Sequence, residues 1–123
     1  LHLSIRRQRQ MCIRDRIGSV DGKTALIVDD EIDTGGTVAA AAELLESHGA
    51  KDIYCSVVHP LLSGAASKKL ETSPLREIVV TDTLPVTGNK QFERLRVLSV
   101  SSLLGEAIHR IHSGLSVGAM FEH

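Results

Sequence analysis

The sequence is poor in aromatic residues and cysteines, and this scarcity excludes several kinds of protein. Tryptophan is absent, and the aromatic residues are one tyrosine and two phenylalanines. Base-stacking platforms for single-stranded nucleic acid need more than that. The two cysteines, Cys12 and Cys55, form neither a disulfide framework nor a metal-binding spacing. This cysteine usage fits a reducing compartment, and we expect a cytoplasmic protein.

Long hydrophobic runs are also missing. No run of about 18 apolar residues is present, so we expect no membrane-spanning helix and no membrane partner. A charged start followed by an apolar segment, typical of a secretory signal, is not visible. With 42% hydrophobic residues and a net charge of −1, the 123-residue chain is long and apolar enough to form one folded domain with a core.

Charge is distributed unevenly along the chain. Residues 1–16 contain five arginines and one aspartate, whereas residues 17–123 contain nine basic and fourteen acidic residues. A nucleic-acid-binding protein would be expected to carry its basic residues on the folded body. We therefore expect no nucleic-acid partner.

From Gly22 onward, short apolar runs alternate with helical patterns. The order strand, helix, strand, helix, strand, strand, helix predicts an α/β fold with a mostly parallel sheet flanked by helices. Ser101 or Ser102 is the candidate N-cap of the last helix. The predicted strands are 24–28, 53–58, 77–81 and 95–98, and the predicted helices are 38–48, 64–71 and 104–111.

The stretch most informative about function is residues 28–37, between the first predicted strand and an amphipathic helix. Ligands of open α/β sheets bind at the carboxyl ends of strands. Two glycines within 34–37 let the backbone approach an anion, and the start of a helix presents free N–H groups. The hydroxyls of Thr34 and Thr37 add donors. This part of the loop therefore predicts a phosphate site.

Acidic residues just before the phosphate site need a different partner. Asp29, Asp30 and Asp33 would repel a bare phosphate, but they can accept hydrogen bonds from sugar hydroxyls or hold hydrated Mg²⁺. Together with the phosphate site they suggest a sugar phosphate. The stretch matches neither the Walker A motif nor the dinucleotide fingerprint. The alternative is a structural helix start, with Asp and Thr side chains as capping residues.

At this loop the sequence resembles the phosphoribosyltransferase-type fold and, within it, the ribose-phosphate pyrophosphokinases (phosphoribosyl pyrophosphate synthetases). The resemblance covers about 105 residues, from Ile17 to Phe121, and is to the C-terminal domain of a two-domain enzyme. Other phosphoribosyltransferases share only the loop. The further segments that carry the resemblance are Ile17-Gly18-Ser19-Val20, His48-Gly49-Ala50-Lys51, His59-Pro60-Leu61-Leu62-Ser63-Gly64, Val80-Thr81-Asp82-Thr83, Leu98-Ser99-Val100 and Ser116-Val117-Gly118-Ala119-Met120-Phe121.

The resemblance implies that ATP and ribose 5-phosphate give phosphoribosyl pyrophosphate and AMP, with Mg²⁺ screening the transferred diphosphate. The resemblance implies that the acidic residues hold the ribose or the surroundings of its phosphate. It also implies that the residues after them bind the 5-phosphate. Asp30 is a candidate for a metal-water or structural role, and Ser116 is similar to a position linked to allosteric phosphate and ADP binding. The residues implied to bind ribose 5-phosphate are Asp29, Asp33, Thr34, Gly35, Gly36 and Thr37.

Other parts of the family pattern have no counterpart here. The ATP-binding loops and Mg²⁺ ligands belong to a first domain that this chain does not resemble, so we expect no metal site in this segment. The Lys-Arg-Arg catalytic loop is not found in register, so no catalytic residue is assigned and the isolated chain is expected to be inactive. The family also implies homo-oligomers in the full-length enzyme.

The segment 1–16 is expected to lie outside the family-like domain, which we assign to 17–121 with a tail at 122–123. Met11-Cys12-Ile13-Arg14-Asp15-Arg16 is similar to a translated sequencing adapter. A genuine divergent arm is the alternative for this segment. Two functional alternatives stay open: another phosphoribosyltransferase, and a non-catalytic regulatory paralogue of the synthetase.

Overall fold

The computed structural model describes residues 18–122. The segment expected to be foreign to the domain, residues 1–16, lies outside these residues, as do Ile17 and His123. Four strands and three helices make up the described part, together with two short 3₁₀ turns at Gly88–Lys90 and Gly118–Met120. The strands are β1 (Thr24–Ile32), β2 (Asp52–Pro60), β3 (Glu77–Thr81) and β4 (Leu95–Leu98), and the helices are α1 (Gly36–Ser47), α2 (Ala66–Thr72) and α3 (Ser101–His112).

All strand pairings in the sheet are parallel, and the strand order follows the chain order β1-β2-β3-β4. The ladder between β1 and β2 runs from the pair Thr24 and Asp52 to the pair Ile32 and Pro60. Each connection must therefore cross from the carboxyl edge of the sheet back to its amino edge. The predicted α/β class and the parallel sheet are confirmed.

The hydrophobic core lies on one face of the sheet, beneath α1, α2 and the connection between β3 and β4. Helix α1 buries Val38, Ala41 and Ala42, whose spacing places them on one face of a helix. The loop before β4 adds Val86. The remaining buried members of the cluster are Ile32, Ile53, Cys55, Val57, Leu62, Ala66, Leu70, Leu75, Ile78 and Val80.

The opposite face of the sheet is not covered within residues 18–122. Leu26 and Val28 of β1 are 64% and 72% exposed. Helix α3 has no buried residue, although its sequence is amphipathic. The described helices that flank the sheet therefore lie on one face. The sequence pattern predicted flanking helices but did not specify a face.

Two strands are longer than their apolar runs predict. β1 continues four residues past Val28, through the acidic stretch to Ile32, and β2 ends at Pro60 rather than at residue 58. Each of these extensions supplies the other with a hydrogen-bonding partner, because Glu31 pairs with His59 and Ile32 with Pro60. Pairing between strands, rather than local hydrophobicity, decides where they end.

The start of α3 also differs from the prediction. The N-cap position is Val100, with no side-chain cap, so neither Ser101 nor Ser102 is the N-cap. Asp82 and Ser99 hold this helix start instead. The carboxylate of Asp82 accepts the backbone N–H of Val100 at 2.8 Å, and the hydroxyl of Ser99 accepts the N–H of Ser101 at 3.2 Å. A carboxylate from the end of β3 takes the place of the predicted local cap.

Candidate functional site

The predicted phosphate site lies at the carboxyl edge of the sheet, where three residues connect β1 to α1. Asp33 and Thr34 are exposed, and Gly35 is buried at the N-cap position of α1. Gly36 and Thr37 form the exposed first turn of the helix. Because the strand runs directly into the helix through this short turn, the helix N-terminus faces the edge where ligands of open α/β sheets bind.

Gly35 is required at the turn for two reasons. Its φ of 76° is in the left-handed region, which a side chain rarely adopts. In addition, a Cβ at this position would lie 3.2 Å from Leu70 Cγ and 3.3 Å from the carbonyl oxygen of Ala66. Helix α2 therefore packs directly against the turn, and the absence of a side chain allows this close approach.

The start of α1 has no side-chain cap. The N–H of Ala39 donates to the carbonyl oxygen of Gly35 at 3.0 Å. The N–H groups of Gly36, Thr37 and Val38 precede this bond and belong to the first turn of the helix, where intrahelical acceptors are missing. The alternative interpretation, in which Asp and Thr side chains cap the helix, is not what the structure shows. These N–H groups are instead available to an anion.

Space above the turn is open. A Cβ at Gly36 would meet only Thr34 Oγ1, at 3.9 Å, which is ordinary contact distance, and its backbone is not in the left-handed region. Gly36 is thus not needed for the fold in the way that Gly35 is. Its small size leaves the backbone N–H groups accessible, as phosphate binding at a helix N-terminus requires.

Asp29 and Asp30 lie inside β1 rather than in the loop, which corrects the predicted strand end at residue 28. Asp29 is half-buried on the side of the sheet that carries the core, whereas Asp30 is exposed. One oxygen of each carboxylate accepts the N–H of the following residue, from Asp30 to Asp29 at 2.9 Å and from Glu31 to Asp30 at 3.0 Å. The two acids therefore stabilise the end of β1 as well as standing beside the turn.

Cys55 lies beneath this acidic strand end and is buried in the core. Burial and, to a smaller extent, the negative charge of Asp29 raise the pKa of its thiol to about 12. Asp29 pairs in the ladder with Val57, a core residue, so its side chain is on the core side of the sheet. Cys55 is therefore a small residue of the core rather than an accessible thiol.

A second loop, residues 61–64 after β2, lies beside the turn. The N–H of Leu62 donates to the carbonyl oxygen of Ile32 at 3.1 Å, and the N–H of Ser63 donates to that of Asp33 at 2.9 Å. Leu62 is buried with a φ of 49°, a conformation that costs a residue other than glycine about 1–2 kcal/mol. The sequence marked this segment by family resemblance alone, and the backbone bonds are what join it to the site.

A cluster of His59, Thr81 and Thr83 lies at the same edge. His59 Nδ1 is 2.8 Å from Thr83 Oγ1, and the Thr81 hydroxyl donates to the carbonyl oxygen of Val58 at 2.6 Å. His59 is exposed at the end of β2.

Ser116 lies apart from the strand-end loops, in the segment after α3. Its carbonyl oxygen accepts a hydrogen bond from the guanidinium of Arg110 at 3.0 Å. Its predicted allosteric role stays a prediction.

The described residues do not provide a ready metal site or a membrane span. Within 18–122, no group of three or more histidine, cysteine or acidic side chains is placed to hold a metal ion. No helix in that range has the length and apolar character needed to cross a bilayer.

These observations define an α/β domain with an open parallel sheet and an uncapped, glycine-started helix at its carboxyl edge. A family model described as the phosphoribosyl synthetase-associated domain matches residues 5–122. The chain belongs to this family. The match begins within the segment 1–16, whose origin stays a prediction.

Curated relatives include ribose-phosphate pyrophosphokinases from Caldanaerobacter subterraneus subsp. tengcongensis and from Nostoc sp. They are 50% and 48% identical over 105 residues, which is 85% of this chain but 33% and 32% of theirs. The crystal structure of a phosphoribosylpyrophosphate synthetase from Mycobacterium smegmatis matches with a TM-score of 0.78 and 44% identity, over 80% of this chain and 33% of that one. The chain thus spans about a third of the length of these relatives.

Proposed function

We propose that this chain is the C-terminal domain of a longer ribose-phosphate pyrophosphokinase and supplies its ribose 5-phosphate loop. The observation that carries the proposal is the turn at Gly35 and Gly36, where an uncapped helix start lies open at the carboxyl edge of the sheet. The curated relatives named as ribose-phosphate pyrophosphokinases support the assignment to this reaction.

In this proposal the 5-phosphate lies on the first turn of α1. The N–H groups of Gly36, Thr37 and Val38 point at it, and the hydroxyls of Thr34 and Thr37 add donors. Binding here uses backbone groups that the fold has already ordered, so little conformational entropy is lost when the phosphate arrives.

The acids hold the sugar part of the substrate. Asp33 lies in the turn itself, and Asp29 stands on the core side of β1, so both can accept hydrogen bonds from ribose hydroxyls. Asp30 is exposed at the end of β1, beside the turn, which suits the metal-water or structural role. Diphosphate transfer depends mainly on positioning and charge stabilisation, and this chain contributes the positioning of the acceptor sugar.

We also propose that the remaining parts of the reaction come from the longer protein. ATP and Mg²⁺ would be bound outside this chain, in a cytoplasmic homo-oligomer. Parallel sheets are normally covered on both faces, so the exposed face around Leu26 and Val28 is assigned to contact with the rest of the longer protein.

The proposal is tested by two assays. The complete gene product, incubated with ATP, Mg²⁺ and ribose 5-phosphate, should release AMP, whereas the 123-residue chain alone should show no turnover. Consumption of phosphoribosyl pyrophosphate with a base would instead identify another phosphoribosyltransferase. If neither reaction occurs but the protein still binds ribose 5-phosphate, it is a regulatory paralogue.

Binding is tested separately by calorimetry on the complete protein. Asp33→Ala should abolish detectable ribose 5-phosphate binding, because a sugar hydroxyl loses its carboxylate partner in the turn. Glu43→Ala removes the same charge from an exposed position farther along α1 and should bind like the unaltered protein. Unchanged affinity in Asp33→Ala would rule out the loop assignment.

A further inference from the structure

His59 is held in one orientation by the strand-end hydroxyls. Its Nδ1 lies 2.8 Å from Thr83 Oγ1, and that hydroxyl lies 3.2 Å from the carbonyl oxygen of Val58. The ring is exposed although it is tethered. A tethered, exposed imidazole at the carboxyl edge of a parallel sheet is positioned where a ligand can reach it.

The hydrogen bonds of this cluster engage one nitrogen of the ring. Thr81 donates to the carbonyl oxygen of Val58, and Thr83 Oγ1 lies between that oxygen and His59 Nδ1. Nδ1 is therefore bonded to Thr83 whichever ring nitrogen carries the proton. Within residues 18–122, Nε2 has no hydrogen-bond partner and can bond to a ligand.

The ring also lies within reach of the proposed sugar-phosphate site. His59 pairs with Glu31 across the β1–β2 ladder, and Thr34 follows three residues later. With about 4.8 Å between strands and about 3.3 Å per residue, the Cα atoms of His59 and Thr34 are at most about 15 Å apart. A five-carbon sugar phosphate together with a histidine side chain spans this distance. The bonds of Leu62 and Ser63 to Ile32 and Asp33 fix the two loops side by side.

We propose that His59 is a specificity-determining residue that forms, through Nε2, a hydrogen bond with a hydroxyl of the sugar whose phosphate lies on residues 34–37. The inference rests on the proposed function and adds a residue to that site. His59 thereby distinguishes a sugar phosphate from inorganic phosphate, because the latter has no sugar hydroxyl to bond to Nε2.

Two substitutions separate this role from a purely structural one. His59→Asn keeps an amide group near the position of Nδ1, so it can still hydrogen-bond to Thr83, but it has no polar atom near Nε2. His59→Gln places an amide group near Nε2 and restores a hydrogen-bonding partner there. Calorimetric titration of the complete protein with ribose 5-phosphate and, separately, with inorganic phosphate compares these variants with the unaltered protein.

The expected result is an affinity for ribose 5-phosphate about 5- to 10-fold weaker in His59→Asn, largely recovered in His59→Gln, with phosphate affinity unchanged in both. If His59→Asn binds both ligands like the unaltered protein, or loses both equally, the inference is wrong while the proposed function stands. If the unaltered complete protein binds neither ligand, the proposed function fails and the inference fails with it.

Discussion

At the level of single residues, the two adjacent glycines of the turn have separable roles. Gly35 has a left-handed backbone and touches Ala66 and Leu70, whereas Gly36 has open space around its Cα. Gly35→Ala should therefore lower the free energy of unfolding by about 1–3 kcal/mol, from backbone strain and the close contact with α2. Gly36→Val should leave the free energy of unfolding within about 1 kcal/mol but abolish ribose 5-phosphate binding in the complete enzyme.

Urea denaturation and calorimetry check the two glycine variants together. The stability loss should be confined to Gly35→Ala and the selective binding loss to Gly36→Val. A Gly36→Val protein that binds ribose 5-phosphate normally would show that no anion approaches the first turn of α1.

Cys55 gives a second test at the residue scale. Because burial and Asp29 raise its pKa to about 12, the folded protein holds the neutral thiol while the unfolded chain ionises near 9.0. The contribution of the Cys55 thiol to the free energy of unfolding is complete below pH 9.0 and is lost as pH rises from there towards 12. In a Cys12→Ser background, Cys55 should resist thiol reagents at pH 8 until urea unfolds the chain.

The pH dependence needs its own comparison, so that the contribution of the thiol is separated from that of the rest of the chain. Cys55→Val replaces the thiol with an apolar group of similar size. The loss of stability above pH 9.0 should be smaller in this variant than in the Cys12→Ser parent. Fast labelling of the native thiol at pH 8 would contradict the buried, neutral state.

At the level of elements, Asp82 connects the end of β3 to the start of α3. Hydrogen bonds from the Ser99 hydroxyl and the Val100 N–H lower the pKa of its carboxyl below the ordinary value of 3.8. Because the pKa is lowered, the stabilisation that the ionised Asp82 carboxylate gives the folded protein is present above pH 3.8 and is lost as pH falls through the folded-state pKa. The first turn of α3 should therefore fray in acid.

Hydrogen exchange of the α3 amides, corrected for intrinsic rates, measures this effect. Asp82→Ala should expose the first turn at neutral pH, because no local side chain caps Val100. Asp82→Asn keeps a hydrogen-bond acceptor without the charge, so the protection of its first turn should be intermediate between that of the unaltered protein and that of Asp82→Ala. Equal protection in all three proteins would mean that α3 holds its own N-terminus.

The elements also show how far sequence patterns reach. β3 and β4 agree with their predicted bounds, because short apolar runs between breakers specify them locally. β1 passes through three consecutive acids, a stretch that a hydrophobicity pattern ends too early. It continues because β2 provides a partner as far as Pro60. Such pairing depends on a strand some 28 positions away, which local periodicity does not report.

At the level of the whole molecule, apolar surface remains exposed on α3 and on the second face of the sheet. Ile108 and Ile111 are 67% and 68% exposed, and patches of this kind mark interaction surfaces. Ile108→Lys combined with Ile111→Lys should leave the unfolding free energy within about 0.5 kcal/mol, since no buried contact is lost. The same change should reduce self-association of the isolated chain.

Sedimentation velocity and urea denaturation check the surface variant. Val80→Lys is the contrasting substitution, since Val80 is fully buried, and it should prevent folding. If the double lysine variant also fails to fold, α3 must be packed in solution rather than exposed.

The amino-acid sequence alone specified the alternation of strands and helices, the buried face of α1 and the glycine pair at its N-terminus. Each of these features depends on residues that are close together in the chain. Tertiary structure alone decided that Leu62 and Ser63 bond to the first loop, that Asp29 lies on the core side while Asp30 is exposed, and that Thr83 orients His59. These contacts join residues far apart in the chain, and only the parallel stacking of strand ends brings them to one edge.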